Sequence, residues 1–113
     1  NWYNNLTANH NDDASDFARL YLMPGMGHCS GGAAVDQVDL LTPLVAWVES
    51  GIEPEGLVAT ARGAGNPGGE NPAIPASWAA DRTRPLCAYP TVARYNADAG
   101  NGDVESAESF SCQ

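Results

Sequence analysis

Twelve glycines and eight prolines stand among the 113 residues of this chain. They crowd residues 63–90, which bars long helices and uninterrupted strands from much of the second half. Regular structure must come from the few segments between these breakers. A chain the size of one small domain then has an undersized core to draw on. The first such segment is residues 17–23, apolar almost throughout and stopped by Pro24-Gly25. A short apolar run bounded by turn residues reads as a strand buried on both faces, the pattern of a parallel sheet. Arg19 is its one misfit and is expected near the strand's entrance, with its head group in water.

The chain then runs Gly25-Met26-Gly27-His28-Cys29-Ser30-Gly31-Gly32. An imidazole takes and returns protons near neutral pH, and the surrounding glycines let the backbone bend sharply and approach a ligand closely. The bland reading of His28 is a side chain that satisfies hydrogen bonds in a turn. Thr42 and Pro43 then supply a cap and a first helical position, and Gly51 a stop, for a short helix over residues 43–50. A turn of helix through residues 36–41 can precede it. Leu44, Trp47 and Val48 share one face by their spacing and are expected to pack on a sheet.

Beyond the helix, Gly56–Thr60 reads as a short edge strand and residues 63–76 as loop. At the start, Trp2, Tyr3 and Leu6 suit a short helix ending near Asn9, and Asn5-Leu6-Thr7 is a glycosylation sequon. A strand, a glycine loop bearing a histidine and a helix packing back form one unit of α/β architecture, in which active groups collect at the carboxyl ends of strands. A lone strand cannot pair its own backbone, so the unit is expected to belong to something larger.

The formal net charge is −9, and the positive residues are five arginines, Arg19, Arg62, Arg82, Arg84 and Arg94, with no lysine. They form no stripe, which argues against nucleic acid and against an anionic membrane surface as partners. No apolar run approaches the roughly 20 residues of a membrane span, and residues 1–16 show no signal-peptide pattern. Arg82 and Arg84 are expected to anchor the C-terminal segment by ion pairs rather than to meet a substrate carboxylate. Asp98 and Glu108 bound an acidic, solvated surface.

Three cysteines cannot all pair internally. Cys87 and Cys112 bracket a stretch rich in Pro, Gly and Asn, so pairing these two is the economical choice. On the loop-entropy model this closure is worth roughly 3 to 4 kcal/mol. Cys29 is left over as a reactive thiol, a metal ligand beside His28 (with His10 as a further donor), or half of a bridge to another segment.

Residues 17–32, then Trp47-Val48-Glu49-Ser50-Gly51, then residues 82–90 with Ala93-Arg94-Tyr95, and finally Phe110-Ser111-Cys112 resemble, in register, the C-terminal end of the tannase and feruloyl esterase family. The resemblance covers the chain from about residue 15 onward. It implies an α/β fold: the last strand, histidine loop, packing helix and disulfide-stapled C-terminal segment of an α/β-hydrolase core. Residues 1–113 would then be the C-terminal part of the catalytic domain of a secreted or periplasmic serine esterase for esters of aromatic acids (feruloyl, galloyl or related).

By the same resemblance His28 corresponds to the triad histidine, and Cys29 to the neighbouring cysteine bridged to a cysteine beside the nucleophile. Cys87 and Cys112 correspond to the C-terminal structural disulfide. The chain departs from the family pattern in lacking a Gly-x-Cys-Ser-x-Gly elbow, so Ser30 is not the nucleophile. Asp12, Asp13 and Asp16 precede the expected strand, which would put them roughly 20 Å from the loop at its far end. The acid, the nucleophile, the oxyanion donors and the lid are therefore expected in an N-terminal portion joined through Cys29. No cofactor or metal is expected on the chain itself, although calcium can sit in a relative's lid. Without that portion the chain is expected to be inactive. The competing reading is a noncatalytic, disulfide-stapled secreted module.

Overall fold

The computed structural model describes residues 2–113. Helix α1 (Trp2–Ala8) is followed by a long irregular stretch containing the glycine loop, then by β1 (Gln37–Val38), α2 (Leu41–Ser50) and β2 (Gly56–Thr60). After the breaker-rich segment come β3 (Thr83–Cys87), β4 (Ala93–Tyr95), two 3-10 turns and β5 (Phe110–Cys112). Helix and sheet are thus mixed, but the sheets are antiparallel. β1, β2 and β3 pair in that order, and β4 pairs with β5 as a separate ribbon.

β2 is the centre of its sheet rather than the expected edge. Its five residues pair fully with β3, Gly56 opposite Cys87 and Thr60 opposite Thr83. The alternation follows the strand period: Leu57 and Ala59 point inward and are buried, whereas Val58 faces out. Pro85 is tolerated in β3 because that strand forms the sheet's edge and needs no second ladder partner. The ladder continues past the strands, with Ala61 N–H donating to Arg82 O and Gly63 N–H to Ala80 O. Val35, Leu57, Ala59, Ala61 and Leu86 make the buried core, with Tyr21, Met23, Val38 and Ile74 packed against it.

Residues 17–23 do not form the expected doubly buried strand. The segment is extended, but it touches the sheet through a single antiparallel bridge, Tyr21 to Ala88, supported by Tyr89 N–H donating to Leu20 O. Tyr21 and Met23 reach the core, while Phe17 and Leu22 stay 55% and 59% exposed. The physical reason is the absence, among the described residues, of a strand running alongside. Arg19 is not in water either: it pairs with Glu53 at 2.5 Å, donates to Ser15 O and lies over the Trp47 ring.

Helix α2 forms where the cap signals place it, with two changes. Residues 36–40 are not helical and hold β1, α2 starts at Leu41, and Asp39 replaces Thr42 as the cap, its carboxylate accepting from the N–H groups of Leu41 and Thr42 at 3.0 Å each. Gly51 ends the helix in the left-handed conformation at φ +68°, its N–H donating to Trp47 O. The face expected to pack on a sheet is open: Leu44 is 50% and Val48 77% exposed, and α2 contains no buried residue.

The C-terminal segment is tied back onto β3. Cys87 and Cys112 are disulfide-bonded, Thr83 N–H donates to Glu105 O, and Thr83 Oγ1 accepts from Ala107 N–H. At the other end α1 docks through Tyr3, whose ring meets Tyr89 edge-on at 5.9 Å. Among the described residues no helix is long and apolar enough to cross a membrane.

Candidate active site

The histidine loop is a closed hairpin of backbone. Gly27 N–H donates to Gly31 O at 2.9 Å, so His28, Cys29 and Ser30 form a solvent-exposed tip over a tied base. Two glycines make this closure possible. A Cβ on Gly32 would lie 2.2 Å from Gly25 O, and one on Gly25 would lie 2.5 Å from Ala33 O, so neither leg has room for a side chain. At the tip, Cys29 takes φ +68°, a conformation that L residues with side chains adopt at a cost. In that conformation its Sγ lies 3.1 Å from His28 Nδ1, and the thiol is free within the chain.

The outgoing leg is held from below by three polar side chains that reading the sequence had passed over. Asp36, half-buried with its side chain shielded from solvent, accepts from Gly31 N–H through Oδ2 at 2.7 Å. Its two oxygens also receive the Arg62 guanidinium, Nη2 at 2.7 Å and Nε at 3.1 Å. Asn71, buried, donates from Nδ2 to Gly32 O at 2.9 Å. The Arg62 guanidinium holds the Asp36 carboxyl below the usual carboxylate range; burial opposes this and the Gly31 N–H assists. A signal was available in the sequence: an acid beside Val35 and an arginine ending the apolar run of β2 are charges in apolar settings, which need partners.

The arginines nearest the C-terminal segment act as anchors. Arg82 pairs with Glu105 at 3.0 Å and stacks over Trp78, and Arg84 donates to Thr83 O and lies over Phe110. An apolar cavity of about 640 Å³ opens between the loop's legs at Pro24, Gly25 and Ala33, the β3 residues Leu86 and Cys87, and Phe110. Asp12, Asp13 and Asp16 are exposed, and the Asp13 carboxylate accepts from Ser15 N–H. His10 lies against Phe17 edge-on at 4.9 Å. Among the described residues no three His, Cys, Asp or Glu side chains gather where they could hold a metal ion.

Comparison with known proteins gives the family to which the chain belongs. The family model described as tannase and feruloyl esterase matches residues 2–113. The chain belongs to that family, a family of ester hydrolases. Among its relatives, the mono(2-hydroxyethyl) terephthalate hydrolase of Piscinibacter sakaiensis is 48% identical over 99 residues, covering 88% of this chain and 14% of that protein. A probable feruloyl esterase of Arthroderma benhamiae is 38% identical over 102 residues, covering 88% of this chain and 16% of the relative. An uncharacterized esterase of Xanthomonas campestris pv. campestris is 35% identical over 130 residues, covering 98% and 20% respectively. The chain therefore spans less than a quarter of the length of these relatives.

Proposed function

We propose that this chain is the C-terminal part of the α/β-hydrolase catalytic domain of a secreted serine esterase, and that it supplies the general base, His28. The substrates are carboxylic esters of aromatic acids, hydroxycinnamoyl, galloyl or related. The observation that carries the reading is the tip geometry: a solvent-exposed imidazole on a glycine hairpin whose two legs are fixed, with Cys29 beside it.

In the reaction the imidazole takes the proton of a serine hydroxyl as that oxygen attacks the ester carbonyl, and returns it to the departing alcohol. A water deprotonated by the same ring then releases the acid. The serine, the triad acid and the oxyanion donors come from an N-terminal portion of the enzyme. Cys29 forms a disulfide with a cysteine next to that serine, which tethers the base to its nucleophile. The Cys87–Cys112 bridge and the proposed second one suit an oxidising, extracellular or periplasmic setting.

Two measurements on the intact enzyme test this. His28→Ala is expected to lower turnover of an aromatic ester by about a thousandfold or more while leaving the folded state in place. Mass mapping of peptides before and after reduction should find Cys29 joined to a cysteine adjacent to a serine. Wild-type turnover in His28→Ala, or Cys29 recovered as a free thiol in the native enzyme, refutes the assignment and favours the noncatalytic module.

A further inference from the structure

Resting on His28 as the base, we propose that Asp36 and Arg62 are positioning residues for it: their partly buried ion pair, with Asn71, fixes the outgoing leg of the histidine hairpin and thereby the place of the imidazole. The chain of contacts is short. Asp36 binds Gly31 N–H and Asn71 binds Gly32 O, so the leg is gripped at two successive residues by groups of opposite hydrogen-bonding sense. Gly31 O in turn accepts from Gly27 N–H, the residue that enters His28. Fixing Gly31 therefore fixes both sides of the tip.

The grip has a rigid foundation. Arg62 continues from β2, its Nη1 donates to Gly69 O at 2.9 Å, and its own carbonyl accepts from Asn71 N–H at 2.7 Å. The arginine and the asparagine thus belong to one arm, residues 62–71, built off the central strand. A partly buried ion pair is a modest stabiliser compared with apolar side chains of the same volume, because the shielded carboxylate must leave water. What it offers instead is direction: the planar guanidinium fork holds the carboxylate in one orientation, in which Oδ2 accepts both from Arg62 Nη2 and from Gly31 N–H. A base that must meet a hydroxyl supplied by another part of the enzyme needs that kind of definition, since misplacement by about 1 Å can cost about a hundredfold in rate.

The test uses the intact enzyme, with competent sites counted by the end point of a serine-directed phosphonate titration and turnover of an aromatic ester expressed per titrated site. Asp36→Asn keeps the side chain's shape but loses the charge that holds Arg62. It is expected to lower kcat per site about 10- to 100-fold with KM within about threefold of wild type. Arg62→Lys keeps the ion pair but loses the fork, and a fall of about 3- to 10-fold is expected. A purely structural role would reduce the number of titrated sites and leave kcat per site intact. Values within about twofold of wild type in the variants that fold overturn the proposal. If Asp36→Asn does not fold, Arg62→Lys decides by the same criterion. His28→Ala separates the two claims: retained turnover there sinks the base assignment and the positioning role together, whereas its loss alongside normal kcat per site in Asp36→Asn and Arg62→Lys sinks the positioning role alone.

Discussion

The sheet side of the molecule and the α2 side are finished to different degrees. On the sheet side Leu57, Ala59, Ala61 and Leu86 are buried, and Asp36 and Asn71 beneath the histidine hairpin have their partners. No buried side-chain nitrogen or oxygen among the described residues lacks a hydrogen bond. On the other side Leu41, Leu44, Val45, Val48 and Ile52 stand in solvent, and the extended residues 17–23 leave Phe17 and Leu22 uncovered. One side has a buried core and polar groups satisfied from within the chain, whereas α2 presents an open apolar face of the kind that marks contact with something else. The proposed N-terminal portion of the catalytic domain is the natural cover, since an α/β sheet has helices on its faces and strands beside strands.

The largest expected effect tests whether the sheet side holds itself. Cys87 and Cys112 close a loop with a sequence separation of 25. The Cys87→Ser/Cys112→Ser double variant is expected to lose about 3 kcal/mol of unfolding free energy in denaturant titration. Amide exchange should rise first in β4 and β5. A loss under about 1 kcal/mol would mean that the ladder and the Thr83 contacts suffice to hold the ribbon.

A smaller pair of effects tests the contrast itself with one substitution at two exposed valines. Val48, 77% exposed on α2, and Val58, 57% exposed on β2, differ in what the proposal says will cover them. In the intact enzyme Val48→Thr is expected to destabilise by about 1 to 2 kcal/mol, because it would bury a hydroxyl under the N-terminal portion, whereas Val58→Thr should stay within about 0.5 kcal/mol. Equal, negligible losses at both sites would show that α2 is an ordinary solvated helix. The comparison between the two sides would then dissolve.

What could be read from the sequence follows the same divide between local and distant causes. Helix α2 was legible because Pro43 and Gly51 act within one turn of themselves, and β2 as a short apolar run between the turn residues around it, although not its central place in the sheet. The glycines of the hairpin marked the loop. Residues 17–23 misled because a strand is completed by its neighbours: the same apolar run becomes a core strand beside others and a half-exposed strap without them. The sheet's antiparallel order was hidden for a related reason, since the register of β2 on β3 depends on a return through residues 61–82 that no local pattern specifies. His28 and Cys29 announced themselves by residue type and setting. Asp36, Arg62 and Asn71 did not, because their meaning lies in a convergence of segments up to 39 residues apart.

The smallest effect is a pH dependence that sets Asp36, at the sheet side's base, against Asp39, at the head of α2. Both carboxyls lie below their ordinary value of 3.8: Asp36 chiefly through the Arg62 guanidinium, Asp39 chiefly through its hydrogen bonding to Thr42. A carboxyl whose value is depressed on folding contributes stability that is fully present above the unfolded value and is lost as pH falls through the folded one. The melting-temperature gap between wild type and Asp36→Asn should therefore be constant from neutrality down to about pH 5 and close progressively below 3.8, as the protonated acid comes to resemble the amide. Asp39→Asn should trace the same direction with a smaller gap, because an exposed cap is screened by water and salt and Asn is itself a good cap. The ordering separates a charge that organises a buried hairpin base from one that trims a helix end. A gap for Asp36→Asn that does not narrow at all as pH falls below 3.8 would mean that the amide disturbs packing rather than charge, and the ion pair's hold on Gly31 would lose its electrostatic basis.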